Sequence, residues 1–350
     1  MEDLLQKLPQ ALLGWFSENK RDLPWRADRE PYHVWVSEIM LQQTRVEAVK
    51  GYYSRFLAAL PTVEALANAD DDHLRKLWEG LGYYNRVRNM KKAAEVICGE
   101  LGGAFPQTLE GLLRLPGVGS YTAGAIGSIA FELPAPAVDG NVLRVVSRLC
   151  ADETPIDLPT YKKRVEAALQ KVYPAGRCGD FTQSLMELGA TVCLPNGKPK
   201  CAGCPCKTFC LGLQQGEPER LPIRLPKKSR RLEEKTVFVL SCDGCYAVQK
   251  REKTGLLASL WEFPNVPGRL ELAEAINWAQ PLSPAAPTGM VERQHIFTHV
   301  QWNMRCYYLS CREKSAQFTW VTPAQIAQEI ALPTAFKMFW DILQAKENKV

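Results

Sequence analysis

The chain has 350 residues, of which 46% are hydrophobic and 23% charged, and its formal net charge is +5. This length allows two domains with separate cores, and the composition is typical of globular proteins. No apolar run approaches the ~20 residues that a membrane span needs, and no secretory h-region follows the acidic start. We therefore expect a cytoplasmic protein with no membrane partner and with mostly reduced cysteines. The weak positive charge permits nucleic-acid binding but does not argue for it.

Residues 1–215 have the apolar spacing of a helical domain. An amphipathic helix is expected near the start, and the break at residues 23–26 ends it. The apolar stripe from Val36 to Leu60 predicts one long helix. Capping residues follow at 61–62 and 70–72, and the aromatic-rich segment 81–86 predicts a turn. Further helices are predicted over 87–101, 108–114, 120–130, 142–150, 160–172 and 180–192.

A Gly-Val-Gly turn at Gly117, Val118 and Gly119 separates two of these helices. Glycine permits positive φ and the close approach of another backbone, so we expect a tight hairpin without side chains at two of its three positions. The free N–H groups of the helix that begins at Ser120 suit a phosphate. Taken alone, the pattern is equally typical of a helix-turn-helix packing unit without a ligand.

Four cysteines, at 193, 201, 204 and 210, follow the spacing C-x7-C-x2-C-x5-C. Four thiols so close together predict one metal centre, and the spacing does not separate a [4Fe–4S] cluster from zinc. Cys206 lies inside this loop and is expected to be a bystander. The other seven cysteines are isolated, and we expect them to be mostly buried apolar residues.

Two carboxylates stand out for possible chemistry. Glu38 lies among apolar residues on the predicted long helix, where desolvation would raise its pKa toward the range of a general acid. Asp139 precedes Gly140-Asn141 and a predicted helix. Taken singly, Glu38 is more typical of a surface glutamate, and Asp139 and Asn141 are more typical of helix caps.

Residues 216–231 are rich in proline and basic residues and predict an extended linker. Residues 232–350 predict a separate α+β domain, with a hairpin at Asp243-Gly244. His295 and the segment Phe297-Thr298-His299 end a probable strand, where hydrogen-bonding or core roles are more typical than metal binding. A Pro-rich loop is expected at 281–287. Strands are predicted over 236–241, 245–250, 303–310 and 318–321, and helices over 271–279, 323–330 and 334–346.

Together these motifs resemble the A/G-specific adenine DNA glycosylases of the MutY type, within the helix-hairpin-helix glycosylase superfamily that includes endonuclease III. The resemblance covers nearly the whole chain, and the motifs occur in the family's order. They are LPWR (23–26), SEIMLQQT (37–44), GLGYY (80–84), LPGVGSYTAGA (115–125), DGNV (139–142), FTQSLMELGA (181–190), the four cysteines, LWEFP (260–264) and FTH (297–299).

The resemblance implies a multidomain protein: an all-α helix-hairpin-helix core with an iron–sulfur loop, followed by a Nudix-like domain that recognises 8-oxoguanine. The implied partner is double-stranded DNA, and we expect a monomer. The implied reaction removes a flipped adenine mispaired with 8-oxoguanine or guanine. Related lyases carry lysine where Tyr121 stands, and Leu143 offers no amine. This implies a monofunctional enzyme that leaves an abasic site.

The family also implies roles for single residues. Glu38 would protonate adenine N7 and activate water, while Asp139 would stabilise an oxocarbenium-like sugar, with Asn141 and Tyr121 orienting both carboxyl groups. Adenine contacts fall to Arg26, Gln183 and Glu187. DNA contacts fall to Gln42, Gln43, Thr44, Tyr83, Gly117, Val118 and Gly119. Recognition of 8-oxoguanine falls to Phe297, Thr298 and His299, and cluster ligation to Cys193, Cys201, Cys204 and Cys210.

The chain departs from the family in three places. The family usually has six residues between the first two cysteines, whereas this chain has seven, and we expect the cluster to persist. Thr298 replaces a serine but keeps the hydroxyl. No Glu-rich helix of Nudix hydrolases follows residue 264, so no nucleotide hydrolysis is expected.

Two other functions compete with adenine excision. Thymine or uracil mismatch glycosylases of the same superfamily lack the second domain and differ at Glu38. A catalytically silent DNA-binding module with a structural metal would need Glu38 or Asp139 replaced, and both are present.

Overall fold

The computed structural model describes residues 1–226, 229–282 and 287–347. The chain divides into two compact units: Met1–Ala69 with Arg88–Pro226, and Asp70–Val87 with Lys227–Val350. The second unit therefore includes a short segment from the helical part of the sequence. Among the described residues, no helix is long and apolar enough to cross a membrane.

The first unit is helical, as predicted, and its interior is an apolar core to which the helices Gly140–Cys150, Pro159–Gln170 and Cys178–Thr191 contribute. A short 3-10 helix, Pro24–Arg26, follows the second helix. The helices up to residue 67 are α1 (Glu2–Leu5), α2 (Leu8–Asn19), α3 (Pro31–Leu41), α4 (Val46–Ala59) and α5 (Val63–Ala67). The later ones are α7 (Asn85–Glu100), α8 (Leu109–Leu113), α9 (Ser120–Phe131), α10 (Gly140–Cys150), α11 (Pro159–Gln170), α12 (Cys178–Thr191) and α13 (Leu211–Gln214).

The single long helix predicted over residues 36–60 is wrong, because the chain breaks between α3 and α4. Gln43 adopts a left-handed φ of 58°, which no helix interior accommodates. Both helices carry buried apolar residues, so the apolar stripe continues across the break and its periodicity does not reveal where α3 ends. The break leaves Gln42 and Thr44 beyond the end of α3.

The predicted hairpin connects α8 and α9. Gly117 has a φ of 75°, and a Cβ there would lie 2.6 Å from the Cβ of Asn89. Gly119 differs, since its φ of −93° is open to any residue and nothing lies within 4 Å of an added Cβ. The expectation that two glycines are sterically required is therefore correct for Gly117 and wrong for Gly119.

The second unit is an α+β fold around a mixed sheet with strand order β3-β2-β1-β6-β5, in which β1 and β6 run parallel. Two short strands pair off this path, β4 with β1 and β7 with β2. The strands are β1 (Arg231–Cys242), β2 (Cys245–Lys250), β3 (Trp261–Glu262), β4 (Asn265–Pro267), β5 (Gly289–Ile296), β6 (Val300–Ser310) and β7 (Thr319–Val321). The helices are α6 (Asp71–Leu77), α14 (Leu272–Ala279), α15 (Pro323–Gln328) and α16 (Thr334–Glu347).

The predicted hairpin at Asp243-Gly244 is confirmed. The strand predicted to end at residues 295–299 is confirmed as β5, which lies at the sheet edge with mostly polar, exposed residues. The predicted linker at 216–231 contains a 3-10 turn at Pro218–Arg220, and its last residue begins β1. Residues 227–228 of this linker, and 283–286 of the predicted Pro-rich loop, lie outside the described residues.

Candidate active site and cysteine loop

A cavity of about 180 Å³ opens between α3, α9, α10 and α12 of the first unit. All seven residues expected to act on the base or to contact it line this one cavity, although they come from distant parts of the sequence. They are Arg26, Glu38, Tyr121, Asp139, Asn141, Gln183 and Glu187. Apolar walls from residues such as Leu23, Trp25 and Val34 complete it.

Glu38 on α3 is only 5% exposed, which confirms the predicted desolvation. Burial raises its pKa to about 7, and the nearby charge of Asp139 adds to the rise. Tyr121, at the start of α9, donates a hydrogen bond to Glu38 Oε2 and partly offsets it. Glu38 can therefore carry or release a proton near neutral pH, as a general acid and base must.

Asp139 serves as the N-cap of α10, since its Oδ1 accepts from the Val142 N–H at 2.8 Å. Its other oxygen accepts from Asn141 Nδ2 at 2.7 Å, and the residue lines the cavity. Burial raises its pKa, against the opposing effect of these hydrogen bonds. Asp139 is therefore both a helix cap and a residue of the cavity wall.

Another part of the cavity wall is an ion-paired group around Glu187 on α12, whose side chain is fully buried. Arg21 donates to it from Nε at 2.7 Å, and Arg26 donates from a terminal nitrogen at 2.8 Å. Arg26 Nε also donates to Gln183 Oε1 at 3.0 Å. Burial alone would raise the pKa of Glu187, but these hydrogen bonds outweigh it and the pKa is lowered.

Arg21 was not singled out from the sequence. Its partner Glu187 is 166 residues away, so no local pattern reveals the pair. The only available signal was a basic residue just before the LPWR motif, within a few positions of Arg26.

The residues expected to contact DNA fall into separate groups. Thr44 lines the mouth of the cavity, and Gln42 Nε2 lies 3.4 Å from the Thr122 hydroxyl at the start of α9. Gln43 is exposed at the break between α3 and α4. Residues 117–119 form the hairpin before α9.

The cysteine loop packs beside two buried arginines of α10. Arg148 donates to Cys193 Sγ at 3.3 Å, and Arg144 donates to the Cys193 carbonyl at 2.8 Å. Arg144 also donates to Asn141 Oδ1 at 2.9 Å, which links the loop to the cavity. These arginines, 4% and 3% exposed, were missed by sequence reasoning. Their four-residue spacing within an apolar helix was the available signal.

Cys193, Cys201, Cys204 and Cys210 are all free thiols close enough to influence one another electrostatically. Among the described residues, no three His, Cys, Asp or Glu side chains are gathered tightly enough to hold one metal ion. Cys206 is 2% exposed and hydrogen-bonded to Cys204.

In the second unit, the turn at Phe297, Thr298 and His299 lies between β5 and β6. The Thr298 hydroxyl lies 3.0 Å from the Tyr83 hydroxyl, so two residues expected to contact DNA meet here. Phe297 packs edge-on against Trp302, and its carbonyl accepts from Arg230 Nε at 3.1 Å. Tyr83 is 48% exposed, which leaves its ring accessible.

Residues 36–175 match the HhH-GPD superfamily of base excision DNA repair proteins, and residues 236–341 match the NUDIX domain. An adenine DNA glycosylase of Homo sapiens is 34% identical over 96% of this chain and 74% of its own length. A thermostable thymine-DNA glycosylase structure is 29% identical with a TM-score of 0.54, covering 61% of this chain and 98% of its own. An endonuclease III structure trapped on DNA has 23% identity and a TM-score of 0.52, covering 62% of this chain and 98% of its own.

These matches separate the competing functions. The thymine-DNA glycosylase structure accounts for 61% of the chain, whereas the adenine DNA glycosylase match extends over 96% of it, through both units. Both enzymes cleave the same kind of bond, so the reaction class, hydrolysis of an N-glycosyl bond, is common to either. The chain belongs to the adenine DNA glycosylases, within the HhH-GPD superfamily of base excision DNA repair proteins.

Proposed function

We propose that this enzyme excises adenine mispaired with 8-oxoguanine or guanine in double-stranded DNA and leaves an abasic site. The observation that carries the proposal is the convergence of Glu38, Tyr121, Asp139 and Asn141 with the group around Glu187 on one cavity. A base stacked in a duplex cannot reach such a cavity, so the adenine must flip out of the helix first.

Glu38 supplies the proton. With a pKa of about 7, a substantial fraction of Glu38 is protonated at neutral pH, and it donates to N7 of the flipped adenine. Protonation makes the base a better leaving group, so the bond between the sugar and the base breaks. The resulting Glu38 carboxylate then takes a proton from the attacking water, and Tyr121 orients it through their hydrogen bond.

Asp139 stabilises the positive charge that develops on the sugar. Its two oxygens are fixed by Val142 and Asn141, so the carboxylate need not reorganise as the charge appears. The two carboxyl groups therefore have different roles: Glu38 donates a proton, and Asp139 acts as the ionised carboxylate.

The wall around Glu187 receives the adenine. Arg26 presents a guanidinium group to the cavity and Gln183 presents an amide. Arg26 donates a hydrogen bond to Gln183 and another to Glu187, and these bonds fix its position. Because the pKa of Glu187 is lowered, this wall stays ionised while Glu38 changes its protonation state. Adenine is a planar, polar ring, and a rigid wall of this kind selects its edge.

The hairpin at 117–119 and the start of α9 hold the DNA backbone. The space above Gly119 is open, which allows a phosphate to approach the free N–H groups of α9. Gln42, Gln43, Thr44 and Tyr83 contact the duplex around the lesion. The turn at 297–299 recognises 8-oxoguanine, with the Thr298 hydroxyl as its polar contact and Phe297 and His299 beside it.

The enzyme is monofunctional. A glycosylase that also cleaves the strand uses an amine to form a Schiff base with the sugar. The phenol of Tyr121 stands at the start of α9, and burial and the charge of Glu38 raise its pKa well above its ordinary value. A neutral phenol does not form a Schiff base, so water attacks the sugar instead.

The cysteine loop would hold a [4Fe–4S] cluster through Cys193, Cys201, Cys204 and Cys210, which supplies a rigid, DNA-facing scaffold when bound. Arg144 and Arg148 compensate the thiolate charge. Iron and sulfide analysis of the purified chain tests this: four irons per chain are expected, and stoichiometric zinc without iron would overturn it.

The test of activity is a single-turnover assay on duplexes that differ only in one pair: adenine opposite 8-oxoguanine, adenine opposite guanine, and thymine opposite guanine. We expect alkali-dependent strand cleavage at adenine in the first two and none in the third. Intact DNA after alkali would refute adenine excision, and cleavage without alkali would refute the monofunctional reaction. Nucleoside triphosphates should not be hydrolysed.

The role of the turn at 297–299 is tested by the ratio of the excision rates on the two adenine mispairs. Thr298→Ala should lower the preference for adenine opposite 8-oxoguanine over adenine opposite guanine by about two- to tenfold, the worth of one hydrogen bond. Thr298→Ser, which keeps the hydroxyl, is the matched control. An unchanged ratio in Thr298→Ala would remove Thr298 from recognition.

A further inference from the structure

Three cysteines of the second unit meet at one end of neighbouring strands, apart from the cysteine loop. Cys242 ends β1, Cys245 begins β2, and Cys311 directly follows β6. Cys242 and Cys245 are direct cross-strand partners. Cys311 follows the last residue of the β1–β6 ladder, and its N–H donates to the Ser241 carbonyl at 2.7 Å. All three are free thiols.

The turn between Cys242 and Cys245 places the two Cα atoms at a separation that a disulfide can span. Asp243 and Gly244 have φ of 47° and 70°, which is the conformation of a two-residue type I′ hairpin. Directly opposed residues of an antiparallel ladder have Cα atoms about 4.5–5.5 Å apart. A disulfide spans Cα separations of about 4.4–6.8 Å, so the register places the Cα atoms of this pair within its range.

The surroundings give the two thiols different reactivity. Lys314 Nζ lies 3.3 Å from Cys245 Sγ, and this hydrogen bond raises the pKa of Lys314, which keeps it cationic. An ammonium at this distance stabilises the negative charge that the sulfur carries when it reacts as a nucleophile. Cys245 is partly exposed, whereas Cys242 is 4% exposed, and burial and Asp243 raise its pKa.

We propose that Cys245 and Cys242 form a reversible redox pair, in which Cys245 reacts with a hydroperoxide and Cys242 resolves the product. The Cys245 thiolate attacks the peroxide: a sulfur–oxygen bond forms, the oxygen–oxygen bond breaks, and an alcohol or water leaves. Cys242 then attacks the sulfenic sulfur, forming the disulfide and releasing water with its own thiol proton. The two thiols lose two electrons and the peroxide gains them. This inference does not depend on the proposed function.

The experiment treats the full chain with hydrogen peroxide, quenches it with an alkylating reagent and maps the peptides by mass spectrometry. A Cys242–Cys245 disulfide is expected in the wild type and equally in Cys311→Ser. In Cys242→Ser the reaction should stop at a sulfenic acid on Cys245, which dimedone captures. Oxidation of Cys245 no faster than that of Cys98, an isolated thiol on α7, or a bond from Cys242 to Cys311, would overturn the proposal.

The role of Lys314 has its own readout. Lys314→Gln should slow alkylation of Cys245 by iodoacetamide near neutral pH about three- to tenfold, because the thiolate loses its cation. Arg312→Gln, which removes an exposed charge from the same loop, is the matched control. Both positions are exposed, so neither variant should disturb the fold. Equal rates in the wild type and Lys314→Gln would show that Lys314 does not activate Cys245.

Discussion

Two glutamates line the same cavity, and the protein shifts their pKa values in opposite directions. Glu38 and Glu187 are both buried, yet the pKa of Glu38 is raised to about 7 and that of Glu187 is lowered. The difference lies in the partners. Glu38 has one neutral phenol beside it, whereas Glu187 has two guanidinium groups. Burial alone therefore does not decide whether a carboxyl group is ionised, and the cations around it do.

The two glutamates show how one small site can transfer a proton and also keep a substrate in a fixed position. A proton donor near neutral pH must be poorly solvated and poorly paired. A binding wall must keep its charge pattern through the reaction, which needs paired charges. Placing each requirement on a different wall lets the cavity meet both at once.

The largest expected effect comes from replacing Glu38 by a residue that cannot donate a proton. Glu38→Gln keeps the shape and the burial but offers no transferable acid, so excision should fall by about 10²- to 10⁴-fold. DNA affinity should be retained, because no charged contact to the backbone is lost. The measurements are single-turnover excision and equilibrium binding on the same duplex containing adenine opposite 8-oxoguanine.

Glu95→Gln on α7 is the control, since it makes the same change at an exposed helical position. Wild-type excision by Glu38→Gln would mean that another group protonates the base and that the raised pKa of Glu38 has no catalytic role.

Asp139 supplies the next largest effect, and its substitution separates capping from chemistry. Asparagine is as good an N-cap as aspartate, so Asp139→Asn should change the free energy of unfolding by less than about 1 kcal/mol. The negative charge near the sugar is lost, and excision should fall by about 10²-fold. Asp139→Ala should lose both. If Asp139→Asn excises at the wild-type rate, Asp139 is a cap and nothing more.

Much of this site could be predicted because its residues lie in short motifs whose order and spacing resemble those of the family. The predicted seven residues do line one cavity, and the burial of Glu38 followed from its apolar neighbours. The hairpin and the α+β character of the second unit also followed from local patterns. Each of these depends on interactions within a few residues or on one periodicity.

What could not be predicted depends on partners far apart in the sequence. Arg144 and Arg148 are buried, and distant carbonyls accept their hydrogen bonds. Arg21 is partly exposed and donates to Glu187, which is 166 residues away. The break at Gln43 was hidden because α3 and α4 both carry buried apolar residues. The placement of Asp70–Val87 in the second unit likewise has no local signature.

Glu187→Gln tests the other wall and should act first on stability. It leaves two guanidinium groups facing a neutral amide inside the protein, and removing one partner of a buried pair is costly. Because Arg21 is 36% exposed, water screens part of the loss, and we expect the free energy of unfolding to fall by roughly 2 kcal/mol. Denaturant unfolding measures this. Glu166→Gln on α11, which removes a more exposed glutamate, is the control.

A Glu187→Gln variant as stable as the wild type would show that the ion-paired wall is not held by its charges. Its excision should fall less than that of Glu38→Gln, because the wall positions adenine but transfers no proton.

The finest test changes the pKa of Glu38 while leaving the carboxyl group in place. Glu38 acts in its protonated form, so the excision rate should decrease as pH rises through about 7. The Tyr121 hydroxyl donates to the carboxylate and thereby lowers this pKa, so Tyr121→Phe must raise it. The decrease in rate should therefore move to higher pH, by roughly one unit, the order of one hydrogen bond to a charged group. The measurement is the single-turnover rate against pH.

Tyr161→Phe, at a buried tyrosine of α11 that does not line the cavity, should leave that profile unchanged. The direction of the shift is what matters. A merely structural role for Tyr121 would lower the rate at every pH without moving the profile. An excision rate that increases, rather than decreases, as pH rises through about 7 would mean that Glu38 acts as a carboxylate rather than as an acid in the step that limits excision. In that case the contrast between the two walls would reduce to a difference in position, since both glutamates would work in their charged form.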